Sequence, residues 1–111
     1  MTSAASPLPS VIYVGAADYD VRLKKDKEMD RGRLLGETDS ENSTIEINKK
    51  QSKCSMQNTL LHETLHAIFW TSGYNRNWPM DEEEKVVQAL TPWLLAFLQD
   101  NPLALAYLLE K

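Results

Sequence analysis

The stretch Leu60-Leu61-His62-Glu63-Thr64-Leu65-His66-Ala67 decides how this chain is read, because it contains HExxH and uses both of the protein's histidines. In a helix, residues i and i+4 share one face about a turn apart, so the two imidazoles can converge on a single metal ion. Glu63 is then held beside that ion. In metal-dependent hydrolysis a carboxylate so placed takes the proton from a water that the metal has acidified towards neutral pH. His62 and His66 are therefore candidate metal ligands and Glu63 a candidate general base. The competing reading of the same residues is two histidines on the surface of an amphipathic helix.

Outward from this motif the pattern stays helical. Ser55 is a plausible N-cap, Leu61, Leu65, Ile68 and Ser72 follow one stripe broadened by Leu60, Phe69 and Trp70, and Gly73 suits a left-handed stop. The histidines lie on a neighbouring stripe with Phe69, at the border of the buried face. A loop from Tyr74 to Met80 returns the chain to a second helix, where Asp81-Glu82-Glu83-Glu84 precedes an apolar stripe of Val86, Val87, Leu90, Leu94 and Phe97. Glu83 stands four and seven residues before Val87 and Leu90, so it points inward, where a carboxylate is costly unless something such as a metal compensates it. Asp81 and Glu84 fit a capping box, and acidic residues in general favour a helix N-terminus. Capping explains Glu83 least, so Glu83 is the expected third metal ligand, with Glu84 the alternative. Thr91-Pro92 should kink this helix, and Asn101-Pro102 should end it and start a short last one, Leu103 to Glu110, packed into the core.

Upstream, from Ser10 to Asn48, the period is that of strands. Val11-Ile12-Tyr13-Val14 and Tyr19-Asp20-Val21-Arg22-Leu23 are joined by Gly15-Ala16-Ala17-Asp18 in one expected hairpin. Arg33 to Thr38 and Ser43 to Asn48 flank the turn-rich Asp39-Ser40-Glu41-Asn42 in a second. Ile45 and Ile47 point one way while Thr44, Glu46 and Asn48 point the other, giving a sheet with one buried and one wet face.

At 111 residues the chain should form one small domain, residues 10–111, behind a short disordered leader, residues 1–9, that lacks the basic start and apolar block of a secretory signal. No apolar run reaches membrane-spanning length. The single Cys54 agrees with a reducing, cytoplasmic setting and lies in polar sequence with no histidine to spare for it. A net charge of −4 argues against a protein whose main business is nucleic acid. The cluster Arg22, Lys24, Lys25, Lys27, Arg31 and Arg33 is interleaved with Asp26, Glu28 and Asp30, which reads as a solvated mixed-charge surface.

Thr59-Leu-Leu-His-Glu-Thr-Leu-His-Ala-Ile, the later Glu-Glu-Lys-Val-Val-Gln-Ala-Leu and Asp100-Asn101-Pro102 resemble the small zincin-like metallopeptidases of bacteriophages and prophages, minimal relatives of the gluzincins. The resemblance spans roughly residues 10 to 105 and is specific at HExxH. It implies an α+β fold with a small, mainly antiparallel sheet packed on the HExxH helix, followed by a long helix and a short C-terminal one. It also implies that Thr44 to Asn48 is the edge strand bordering the cleft, where an extended peptide can pair with the backbone.

The expected function is a zinc-dependent peptidase carrying one Zn²⁺ per chain on His62, His66 and Glu83, with Glu63 as general base and a peptide or protein as substrate. Tyr74 is the nearest candidate to stabilise an oxyanion. The alternatives are a zincin-shaped metal-binding regulatory protein with little proteolysis, and a structural accessory protein with a chance motif. Oligomeric state is not legible.

Overall fold

Segments that alternate apolar and polar residues form a four-stranded sheet in the computed structural model, which describes residues 6–29, 32, 34–73 and 77–111. The strands are β1 (Val11–Val14), β2 (Ala17–Lys24), β3 (Gly36–Asp39) and β4 (Thr44–Asn48). Three helices follow: α1 (Lys53–Ser72), α2 (Met80–Asp100) and α3 (Pro102–Leu109). The architecture is α+β, with a mixed sheet on one side of α1.

Both hairpins form. In the first, Val14 pairs with Ala17, so the turn is tighter than the sequence suggested and rests on Gly15, whose φ of 60° a side chain would disfavour. In the second, Asp39 pairs with Thr44, and the Asp39 carboxylate accepts hydrogen bonds from the Asn42 backbone N–H (3.1 Å) and side-chain amide (2.8 Å). The two hairpins join through a parallel pairing of β2 with β4, giving the order β1-β2-β4-β3. This corrects the expected edge. Thr44–Asn48 is an interior strand, and β3 is the edge on the side of the histidines. Its interior place explains why Ile45 and Ile47 are fully buried.

The core lies between the sheet and α1. Tyr19, Val21, Ile45 and Ile47 meet Ala67, with Met56 and Leu60 packed alongside. Leu8 also packs against this core, although it falls within the expected leader. Asn48 closes one end: its buried amide donates to Asp26 Oδ1 (2.8 Å) and the Leu34 carbonyl (3.0 Å), and its oxygen accepts from the Lys50 N–H (2.9 Å). Gln51 continues this belt. Its amide donates to the Leu35 and Asn48 carbonyls, and its oxygen accepts from the Ser55 and Thr59 hydroxyls. The segment just before β3 is thereby tied to the first turns of α1.

α1 starts earlier than expected, because Ser52 and not Ser55 is the N-cap, its hydroxyl accepting from the Ser55 N–H (3.1 Å). Gly73 ends it in the left-handed conformation, as the sequence suggested. α2 runs unbroken through Pro92. Its first turn has no side-chain cap, so the expected Asp81–Glu84 capping box is not made. Val87 and Thr91 are its fully buried residues, whereas Leu90 and Phe97 are exposed, because α2 packs on α1 and at its far end on α3. α3 departs most from expectation: Leu103 is 87% and Tyr107 79% exposed, so this helix lies on the surface and not in the core. No helix among the described residues is long and apolar enough to cross a membrane.

The tightest approach of helix to sheet is at Gly36. A Cβ built there would come within 2.6 Å of Thr59 Cγ2 and 2.9 Å of Glu63 Cγ. Gly36→Ala should therefore push β3 from α1 and lower stability by about 1–3 kcal/mol, the usual cost of overpacking. Urea denaturation measures this, and an unchanged midpoint would show that the two elements do not touch there.

Candidate metal centre

Helical spacing brings His62 and His66 side by side on α1, their ring centroids 5.0 Å apart. Both present Nε2 to the N-terminal part of α2, where one carboxylate spans them. Glu84 Oε1 lies 2.9 Å from His62 Nε2, and Glu84 Oε2 lies 3.0 Å from His66 Nε2. The neighbouring Glu83 takes the opposite side of the second ring, with Oε2 2.7 Å from His66 Nδ1. Two successive residues of α2 thus grip one imidazole on its two nitrogens.

The chemistry of these donors is informative. A carboxylate only accepts hydrogen bonds, so a ring nitrogen facing one must carry a proton or give way to a cation between them. His62, His66 and Glu84 offer ligand atoms that all lie within 4.8 Å of one another. Two imidazoles and a carboxylate are a donor set that suits zinc, and three protein ligands leave a position open for water or substrate. Glu83 on Nδ1 would fix the ring's tautomer and orientation, the usual task of an outer carboxylate at a metal-bound histidine.

Of the residues singled out in the sequence, His62, Glu63, His66, Glu83 and Glu84 all gather here. Between the two candidates for third ligand, the structure sets Glu84 at the shared Nε2 face and Glu83 behind it. Tyr74 lies outside the described residues. Sequence reasoning missed Thr38 and Gly36, which contact Glu63 from β3. Thr38 pairs with Ile45 across the sheet and so faces α1 as Ile45 does. Its hydroxyl lies 2.7 Å from Glu63 Oε1 and 3.0 Å from the Glu63 backbone oxygen, and its single proton serves one of them at a time.

Glu63 is buried, only 7% exposed, between α1 and β3. Burial pushes its carboxyl above the usual carboxylate value; the Thr38 hydrogen bond and the charge of the two histidines oppose the shift, and Glu84 adds to it. The result is a carboxylate with raised proton affinity beside a cluster suited to a cation, the property required of a general base. All of these groups open into one cleft, walled by residues 34–41 of β3 and its flanks, by α1 and by the first half of α2, with Trp70 and Trp78 among its lining. Compared with protein-family models, with curated proteins and with solved structures, the chain matches none.

The raised proton affinity of Glu63 has a signature in the metal-stripped protein. From its ordinary value of 4.5 up to the raised value, the folded state holds this proton more tightly than the unfolded chain, so stability falls as pH rises through that window. Glu63→Gln removes the ionisable group and with it the fall. Urea midpoints at about pH 4.5 and at neutral pH should thus separate less in the variant than in the wild type. Identical pH dependence in the two proteins would contradict the burial of an ionisable Glu63.

Proposed function

We propose that this chain is a zinc-dependent peptidase of zincin-like design, with His62, His66 and Glu84 as metal ligands and Glu63 as general base. The observation that carries the reading is that one carboxylate oxygen faces each Nε2 of an HExxH pair while the intervening glutamate is buried against the sheet edge. Glu84 replaces Glu83 as the ligand, and Glu83 becomes the residue that orients His66 through Nδ1.

Zinc at this position would acidify a water and polarise a peptide carbonyl. Glu63 takes the proton of the attacking water and hands it to the leaving amine, which needs a carboxylate that is basic enough to accept and still able to release. Thr38 keeps the Glu63 side chain in one orientation through the hydrogen bond to Oε1. Substrate would lie along β3, whose outer backbone groups are unpaired within the sheet and border the cleft. An extended peptide adding to that edge would be held by its backbone, with side-chain selection left to the walls.

Metal quantification on purified protein tests the reading. Wild type should carry close to one zinc per chain, and His62→Ala or His66→Ala should lose most of it, because two remaining ligands cannot hold a tetrahedral site. Undiminished zinc in both variants would sink the proposal. Chelator competition then separates the two glutamates: Glu84→Ala should abolish tight binding, while Glu83→Ala should weaken it by about 10–100-fold, as loss of an outer partner does. The reverse order would return the third ligand to Glu83. Glu63→Gln should keep its zinc and lose peptide hydrolysis by about two orders of magnitude or more.

A further inference from the structure

The wet face of the sheet carries a row of charges that stops at the open edge. Arg22 of β2 is registered with Glu46 of β4, and Lys24 reaches Glu46 at 3.5 Å. Glu46 in turn stands directly opposite Glu37 of β3. Like charges directly opposite one another destabilise a strand pair; Lys24 offsets the charge of Glu46, and Glu37 faces the open edge, where a cation can flank it in the same way. Two residues further on, Asp39 projects to the same side of the same edge strand. Its carboxyl is held below the usual carboxylate range, first by the Asn42 side chain and then by the Asn42 backbone, so it is charged at neutral pH. Between them Thr38 points the other way, to Glu63.

We propose that the cleft selects extended peptides with basic residues at alternate positions, Lys or Arg flanking one central residue. Pairing of such a peptide with β3 sets its side chains alternately on the two faces of the sheet, whichever way it runs. The two basic side chains then lie across from Glu37 and Asp39, so that the acidic pair Glu46–Glu37 is flanked by a cation on each side, Lys24 on one and the peptide on the other. The central residue faces Thr38, so its backbone is the part of the peptide nearest Glu63 and the histidines. This rests on the reading that β3 receives substrate, and it adds the class of substrate.

Binding, not turnover, tests it. Zinc-loaded Glu63→Gln protein is titrated calorimetrically with blocked hexapeptides of alternating Lys and Ala, with isomers of the same composition in which the lysines are adjacent, and with alternating Glu and Ala. The alternating lysine peptide should bind about fivefold tighter than its isomer, the scale of one or two exposed ion pairs, and should weaken as salt rises. The glutamate peptide should bind least. Glu37→Gln, which alters only an exposed position, should narrow the preference, and Glu37→Lys should shift it towards the glutamate peptide. No binding of any peptide, equal binding of the two lysine isomers, or an unaltered preference in Glu37→Lys would overturn the proposal. Failure of the peptidase reading looks different: wild type would leave the alternating lysine peptide uncut while the Glu63→Gln protein still selected it. Cleavage by wild type without regard to charge would remove the selection and leave the peptidase standing.

Discussion

Burial of the Glu63 carboxylate between α1 and the edge of the sheet is the constraint on which the rest of the structure turns. A carboxylate removed from water needs a donor, and the Thr38 hydroxyl supplies it at 2.7 Å. That bond is available only because Gly36 lets β3 approach α1 closely enough to touch Thr59 and Glu63. The approach is secured from the other side by Gln51, whose side chain ties the Leu35 carbonyl to the Thr59 hydroxyl. A chain of local contacts therefore runs from the segment before β3, through the first turns of α1, to the orientation of one carboxylate. Its product is a carboxylate held still beside the two histidines.

α2 answers the same problem on the opposite side of the imidazoles. Adjacent residues on a helix differ by about 100° in direction, so Glu83 and Glu84 cannot do the same thing to the same ring. Here the difference is put to use: Glu83 reaches Nδ1 of His66 and Glu84 reaches Nε2 of both histidines. The arrangement brings three carboxylates, counting Glu63, around two imidazoles. Such a cluster is short of positive charge, and a divalent cation corrects the imbalance more completely than protons on the rings, which serve one acceptor each. Because such a cation would join α1 to α2, metal affinity and the docking of the second helix would be one equilibrium seen from two sides.

Much of this was legible in the sequence, and the parts that were not share a cause. The strand periods, the α1 stop at Gly73 and the convergence of His62 with His66 follow from local spacing alone. Spacing tells which face a strand buries but not which strand lies beside it, so the parallel β2–β4 pairing and the edge position of β3 could not be read. Thr38 was hidden for that reason, since its role depends on β3 meeting α1. The choice between Glu83 and Glu84 was hard to read for a different reason. Both flank the stripe through Val87, and the capping box that was to occupy Glu84 is not formed, because α2 begins at Met80 behind Pro79 and has no side-chain cap. The apolar α3 misled because hydrophobicity alone does not say what covers it; in the fold its Leu103 and Tyr107 face outward.

The edge strand links these two kinds of information. β3 is short, four residues, and natural sheets keep exposed edges short and charged to prevent indiscriminate pairing. Glu37 and Asp39 do that for the wet face. On the other face, however, Gly36 and Thr38 carry no charge, because they must meet Glu63 and Thr59. The edge is therefore protected on one side only, and the unprotected side is the one that borders the histidines. Charges that deter a neutral or acidic strand do not deter a basic one. On the proposed reading the same two carboxylates that guard against aggregation would also select the extended chain admitted, so that one pair of residues would meet the demands of folding and of substrate selection.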